Sequence, residues 1–154
     1  MNRLEAPAGI WIWLFPLTYL IHMAEEYWGG EGFYVWISRL TGSAFTAHDF
    51  LIVNSIGWCV MVAAMGLVAA SPVFRWLLAA FGGVILLNAF LHVTLSLVTR
   101  SYSPGVVSGL LCWAPLGAYT LRRAWRELPR HTFRAGIAVS LGLHALVSFF
   151  ALSK

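Results

Sequence analysis

Residues 10–26 read IWIWLFPLTYLIHMAEE, an apolar run that closes on one histidine and two carboxylates, His22, Glu25 and Glu26. Extended through Tyr27 and Trp28, the run meets the roughly 20 residues that a bilayer core of about 30 Å asks of a helix, provided its polar end reaches the interface. A carboxylate at bilayer depth costs roughly 2.5–3.5 kcal/mol on insertion scales, so such groups take partners and mark sites. The stretch therefore reads as a membrane helix that carries part of a site.

The rest of the chain agrees with a membrane setting. Of its 154 residues, 60% are hydrophobic and 10% charged, against roughly 45–50% and 25% in an ordinary soluble domain. That length suits one integral membrane domain over residues 1–154. The net charge of +4 comes from Lys and Arg scattered at segment ends. Without a basic stripe interleaved with aromatics, nucleic acid is excluded as a partner. Cys59 and Cys112 both fall within apolar segments, which argues against a structural disulfide. Arg3 ahead of a hydrophobic run has the look of a secretory leader, but no small-x-small cleavage site follows, and the run is read as a retained helix.

Hydropathy and breakers predict an all-α bundle of five spans, at about 10–28, 50–70, 73–98, 106–121 and 135–152. Pro16 is placed to kink the first, and Gly29-Gly30-Glu31-Gly32 ends it. From Phe33 to Thr46, Phe33, Trp36, Ile37 and Leu40 recur at helical spacing, with Tyr34, Ser38 and Arg39 facing away. This segment is too short and polar to span, and is expected to lie along the membrane surface as an amphipathic helix. Ser71-Pro72 separates the second and third spans, and the third carries Gly82-Gly83. The fourth contains Pro115 and a Gly105-x-x-x-Gly109 pair, which permits close packing and leaves the oligomeric state open. Trp11, Trp13, Trp28, Trp36 and Trp76, near segment ends, read as an interfacial belt.

The most basic stretch, with Arg122, Arg123, Arg126, Arg130 and Arg134, sets the expected orientation. The positive-inside bias places it in the cytoplasm together with Arg3 and Arg75, leaving Arg39, Arg100 and Lys154 outside. The protein is thus expected to be a multi-pass membrane protein with a cytoplasmic N-terminus and membrane lipids as its surroundings. Threading the spans alternately brings His22, Glu25, Glu26, His48, Asp49, Asn54, Asn88, His92 and His144 into one slab of roughly 15 Å at 1.5 Å rise per residue. Within single helices, His22 shares a face with Glu25 and Glu26, and Asn88 with His92.

Imidazole with carboxylate is the ligand set of zinc and of non-haem iron or manganese, and bundles build such sites from facing helices. The candidate ligands of a divalent metal, zinc or iron, are His22, Glu25 or Glu26, His92, and His144 or His48. The glutamate left over would act as general base toward a metal-bound water, and Asn88 would orient a ligand or a substrate carbonyl. These residues point to a metal-dependent hydrolase or oxidase acting on a lipid or other apolar substrate. Plainer readings stand beside it: an exposed helix end for His22, Glu25 and Glu26, an interhelical clamp for Asn88 and His92, and a helix cap for Asp49. A proton, cation or ligand binder without turnover, a transport component and an assembly subunit are the non-enzymatic alternatives. Ser96, Ser101, Ser103 and Ser108 lack a nucleophile-elbow context.

His22-x-x-Glu25-Glu26 in the first helix of a small apolar chain resembles the HXXEE family, membrane proteins named for that motif and largely of unknown function. Asn88 and His92 are similar to a second polar motif of such proteins. The resemblance implies a site at these residues and supplies no reaction.

Overall fold

Apolar runs cut by Gly and Pro become helices wherever the backbone must satisfy its own amides, and the computed structural model is all-α. It describes residues 9–153, so Arg3 and Lys154, which entered the expected orientation, lie outside the described residues. A 3-10 turn, Ile10–Trp13, leads into α1, Leu14–Trp28. The short α2, Phe33–Thr41, precedes α3, Ala47–Ala70. A second 3-10 turn, Pro72–Arg75, opens α4, Trp76–Thr99. The single turn α5, Val106–Ser108, then runs through a π turn, Gly109–Trp113, into α6, Ala114–Glu127. The last helix is α7, Arg130–Leu152.

Among the described residues, three helical stretches are long and apolar enough to cross a membrane: Ala47–Ala70, Pro72–Thr99 and Arg130–Leu152. They coincide with the expected second, third and fifth spans. The expected first and fourth are helical but interrupted. Pro16 lies in the opening turn of α1, after the 3-10 turn, where its missing N–H costs little. Pro115 likewise lies in the first turn of α6, directly after the π turn.

Helix α4 is the central post, with α6 and α7 packed along it through small residues. A Cβ on Gly117 would lie 2.9 Å from the Gly82 carbonyl oxygen, and one on Gly136 2.7 Å from the Ala79 Cβ and 2.9 Å from the Trp76 carbonyl oxygen. Backbones at such distances gain dispersion that side chains would prevent. A core of Phe15, Met65, Phe81, Ile85 and Trp113 fills the space between α1, α3, α4 and the π turn.

The second core corrects one expectation. Trp36 and Ile37 do not face a membrane surface: Trp36 is 0% exposed and packs with Ile37, Phe45, Phe50 and Ala151. Leu40 is left outside, 38% exposed. The helix stops at Gly42, whose φ of 75° suits the left-handed end of a helix. It is therefore a cap folded onto the bundle end, with Arg39 ion-paired to Glu31 on its outer side. The Arg39 guanidinium holds the Glu31 carboxyl below the usual range. Thr46 and Asp49 form a capping box at the start of α3, the plain reading of Asp49. Cys59 and Cys112 are both free thiols.

Candidate metal centre

The i, i+4 spacing of His22 and Glu26 stacks them on one face of α1, and α4 brings His92 against that face. Glu26 Oε1 lies 3.6 Å from His22 Nε2 and 3.2 Å from His92 Nε2. One donor atom from each residue falls within 4.8 Å of the others. All three are buried, at 1%, 5% and 4% exposure for His22, Glu26 and His92. Two ligands held 2.0–2.1 Å from a tetrahedral ion stand about 3.3–3.4 Å apart, so the two spacings bracket those of a loaded site.

The far nitrogens of both rings are also fixed. His22 Nδ1 lies 2.8 Å from Ser108 Oγ, and His92 Nδ1 2.9 Å from Ser103 Oγ. Ser108 also directs its hydroxyl at the Gly105 carbonyl, 3.4 Å away. With its proton so used, the Ser108 oxygen is placed to accept from His22 Nδ1–H, and His22 Nε2 is turned toward Glu26, with a lone pair when the ring is neutral and a proton when it is charged. That nitrogen is buried and has no hydrogen-bond partner. A neutral ring's lone pair facing a buried carboxylate is a conflict that either a shared proton or a cation between them resolves. The residues thus fit a divalent ion, with outer partners of the kind that orient metal-bound imidazoles.

The walls are aromatic and backbone. Trp113, on the π turn, stacks on the His22 ring at 3.7 Å between centroids and 28° between planes. Phe33 of α2 approaches His92 at 5.6 Å. Gly105, at φ 100°, lies directly over the cluster: a Cβ there would stand 2.9 Å from Cε1 of His22 and of His92 and 3.0 Å from Glu26 Cγ.

Glu25 behaves differently from its neighbour. Its Oε1 accepts from the Tyr102 hydroxyl at 2.6 Å and the Val107 amide at 2.9 Å, and its Oε2 accepts from the Ser108 amide at 2.6 Å. Both oxygens are committed to the 102–108 segment, so Glu25 is neither beside the imidazoles nor free as a base. Partial burial and the bond to Glu25 push the Tyr102 hydroxyl up to about 12, which keeps it a donor.

The remaining candidates are not drawn into the cluster. His48 is exposed at the start of α3, and His144 is half-buried on α7. Asn88, one turn from His92 on α4, has a buried Oδ1 without a hydrogen-bond partner. Asn54 accepts from the Tyr19 hydroxyl at 3.0 Å. Two open apolar grooves run beside α4, one with Gly83, Leu121 and Ile137, the other with Ala64, Phe81 and Leu143. Neither is lined by His22, Glu26 or His92. Sequence reasoning missed the roles of Tyr102, Gly105 and Trp113 and weighed Ser103 and Ser108 only as nucleophiles. The available signal was two serines flanking Pro104-Gly105 in a connection between apolar runs.

Two histidines and one glutamate, brought together from facing helices, define a helical bundle with a buried polar centre of metal-ligand type. The chain belongs to the HXXEE family: the family model, described as a protein of unknown function with HXXEE motif, matches residues 13–120. The matched stretch contains His22, Glu25, Glu26, His92 and the 102–108 segment, and ends before α7. Comparisons with curated proteins and with solved structures return no match.

Proposed function

We propose that the protein is a metal-dependent membrane enzyme, with His22, Glu26 and His92 as the protein ligands of a divalent ion and a lipid or other apolar molecule as substrate. The observation that carries the reading is the orphaned His22 Nε2, aimed at Glu26 in a site whose outer nitrogens are already held by Ser108 and Ser103. Two imidazoles and one carboxylate leave coordination positions open, as in catalytic zinc and non-haem iron sites. A bound zinc would supply an activated water for hydrolysis, and a bound iron would supply oxygen chemistry. The chain's own part is to exclude bulk water with Trp113, Phe33 and Gly105 and to hold each imidazole in one tautomer. Five crossings are proposed, with the broken first and fourth segments crossing beside α3, α4 and α7, and the N-terminus in the cytoplasm.

Metal analysis of the purified protein tests this. The wild type is expected to carry about one zinc or iron per chain, with His22→Ala, Glu26→Gln and His92→Ala each carrying none. Substoichiometric metal in all four proteins, unchanged by the substitutions, overturns the reading.

A second reading has its own support. Glu26 stands within 3.2 Å of His92 Nε2, and neither apolar groove reaches it. A proton shared among His22, Glu26 and His92 suits a binder or transport component without turnover. Metal-free protein whose ligand affinity changes with pH is the outcome that selects it.

A further inference from the structure

We propose that residues 100–108 form a strap that roofs the centre and opens to admit the ion, and that Glu25 is its latch, a positioning residue and not a ligand. This rests on the metal-centre reading of His22, Glu26 and His92. Three independent features of the segment support it.

The first is its two-sidedness. Ser103, Pro104, Gly105 and Ser108 are buried against the cluster, whereas Tyr102 and Val107 are 43% and 50% exposed. One thin layer of chain separates the ligands from the outside here. The second is its backbone. Arg100 at its start has φ 50° and Gly105, three residues before its end, φ 100°, so the chain reverses at two left-handed positions, the first of them costly for a residue with a Cβ. The chain from 100 to 105 belongs to no helix, whereas Val106–Ser108 opens the rod that runs into α6.

The third is the fastening. The strap is held to α4 by the Ser103–His92 contact and by the Ser103 amide, which donates to Ser96 Oγ at 3.0 Å. Apart from the Ser108–His22 contact, it is held to α1 by the three bonds that converge on Glu25. All three go to one carboxylate, and charge-assisted bonds of this kind are roughly twice as strong as neutral ones. The Tyr102 ring is seated over Gly29 and Gly30: a Cβ on Gly29 would lie 2.8 Å from the Tyr102 oxygen, and one on Gly30 3.0 Å from Tyr102 Cδ1. A further bond, from Trp36 Nε1 to Ser101 Oγ at 3.3 Å, ties the strap to α2. The first glutamate of the motif is thereby explained without a place among the ligands: Glu26 faces the centre and Glu25 holds its cover.

The test measures cobalt(II) binding and release in the full-length protein, with hydrogen exchange alongside. Tyr102→Phe and Glu25→Gln are expected to keep one cobalt per chain and the wild-type ligand-field spectrum. Release to a chelator should quicken a few-fold in Tyr102→Phe and about tenfold or more in Glu25→Gln, which loses the charge behind all three bonds. Amides of residues 101–109 should exchange faster in the same order, with those of α4 unchanged. Loss of cobalt or an altered spectrum in Glu25→Gln makes Glu25 a ligand and overturns the proposal, as does wild-type release in both variants. If the wild type binds no cobalt, the metal reading fails; faster exchange at 101–109 then upholds the latch alone, and unchanged exchange overturns that too.

Discussion

The two ends of α4 are packed equally tightly and for opposite ends. Toward its start, Ala79, Gly82 and Gly83 meet Gly117, Gly136 and Ser140 of α6 and α7 with backbones nearly in contact. Toward its finish, His92 meets His22 and Glu26 under Gly105, again with no room for a methyl group. At the first end the close approach joins small residues, and the buried Thr120 hydroxyl beside Gly82 donates to the Leu116 carbonyl. At the second it encloses His22 Nε2, which has no hydrogen-bond partner, 3.6 Å from the Glu26 carboxylate. Tight packing without polar completion is costly, and a shared proton or a bound cation would complete it.

Substitutions that add or remove a single group at each end sharpen this contrast. The largest effect is expected for Gly105→Ala, which combines a φ of 100° with a Cβ lodged against His22, Glu26 and His92. Strain and overpacking together should cost about 2–4 kcal/mol, read by thermal unfolding in detergent, with loss of bound metal. Gly136→Ala should cost about 1–3 kcal/mol through its contact with α4, and leave metal content at the wild-type level. Equal metal loss in both variants would merge the two ends into one cooperative unit.

Ser108→Ala tests the polar end more gently. It strips the partner from His22 Nδ1, and metal affinity is expected to fall about 10–100-fold with the fold intact. The smallest effect belongs to the exposed pair of Arg39 and Glu31. The folded value for Glu31 lies below its unfolded value, so the pair stabilises above about pH 4.3 and that contribution fades as pH falls through the folded value. Arg39→Ala should therefore lower the unfolding midpoint slightly at pH 7, and by less as the pH falls below the ordinary glutamate range.

How much of this could be read from the sequence differs by the range of the interactions. His22 and Glu26 are one helical turn apart, and His92 lies in a span whose depth follows from counting, so their meeting was legible. The all-α class and three spans were legible from hydropathy alone. The division of labour between Glu25 and Glu26 was not. Adjacent residues differ by about 100° around a helix, and which one faces inward depends on what packs there. That neighbour is the 102–108 segment, a connection without periodicity whose placement is decided by contacts with residues about eighty positions away. Trp36 was misplaced for a related reason: helical spacing identifies an apolar face without saying whether lipid or protein covers it.

The π turn at Gly109–Trp113 carries a consequence for the register of the whole rod from α5 to α6. The Ala114 amide bonds to the Gly109 carbonyl, five residues back, so this turn holds one residue more than an α-helical turn. One residue is about 100° of rotation. Upstream of it the rod presents Ser108 to His22; downstream it presents Gly117 to Gly82. A regular helix would satisfy one of these phases and turn the other away. A single surplus residue thus works as a phase shifter between the polar centre and the glycine seam. Deleting one residue from this turn would separate the two while leaving the composition of both intact.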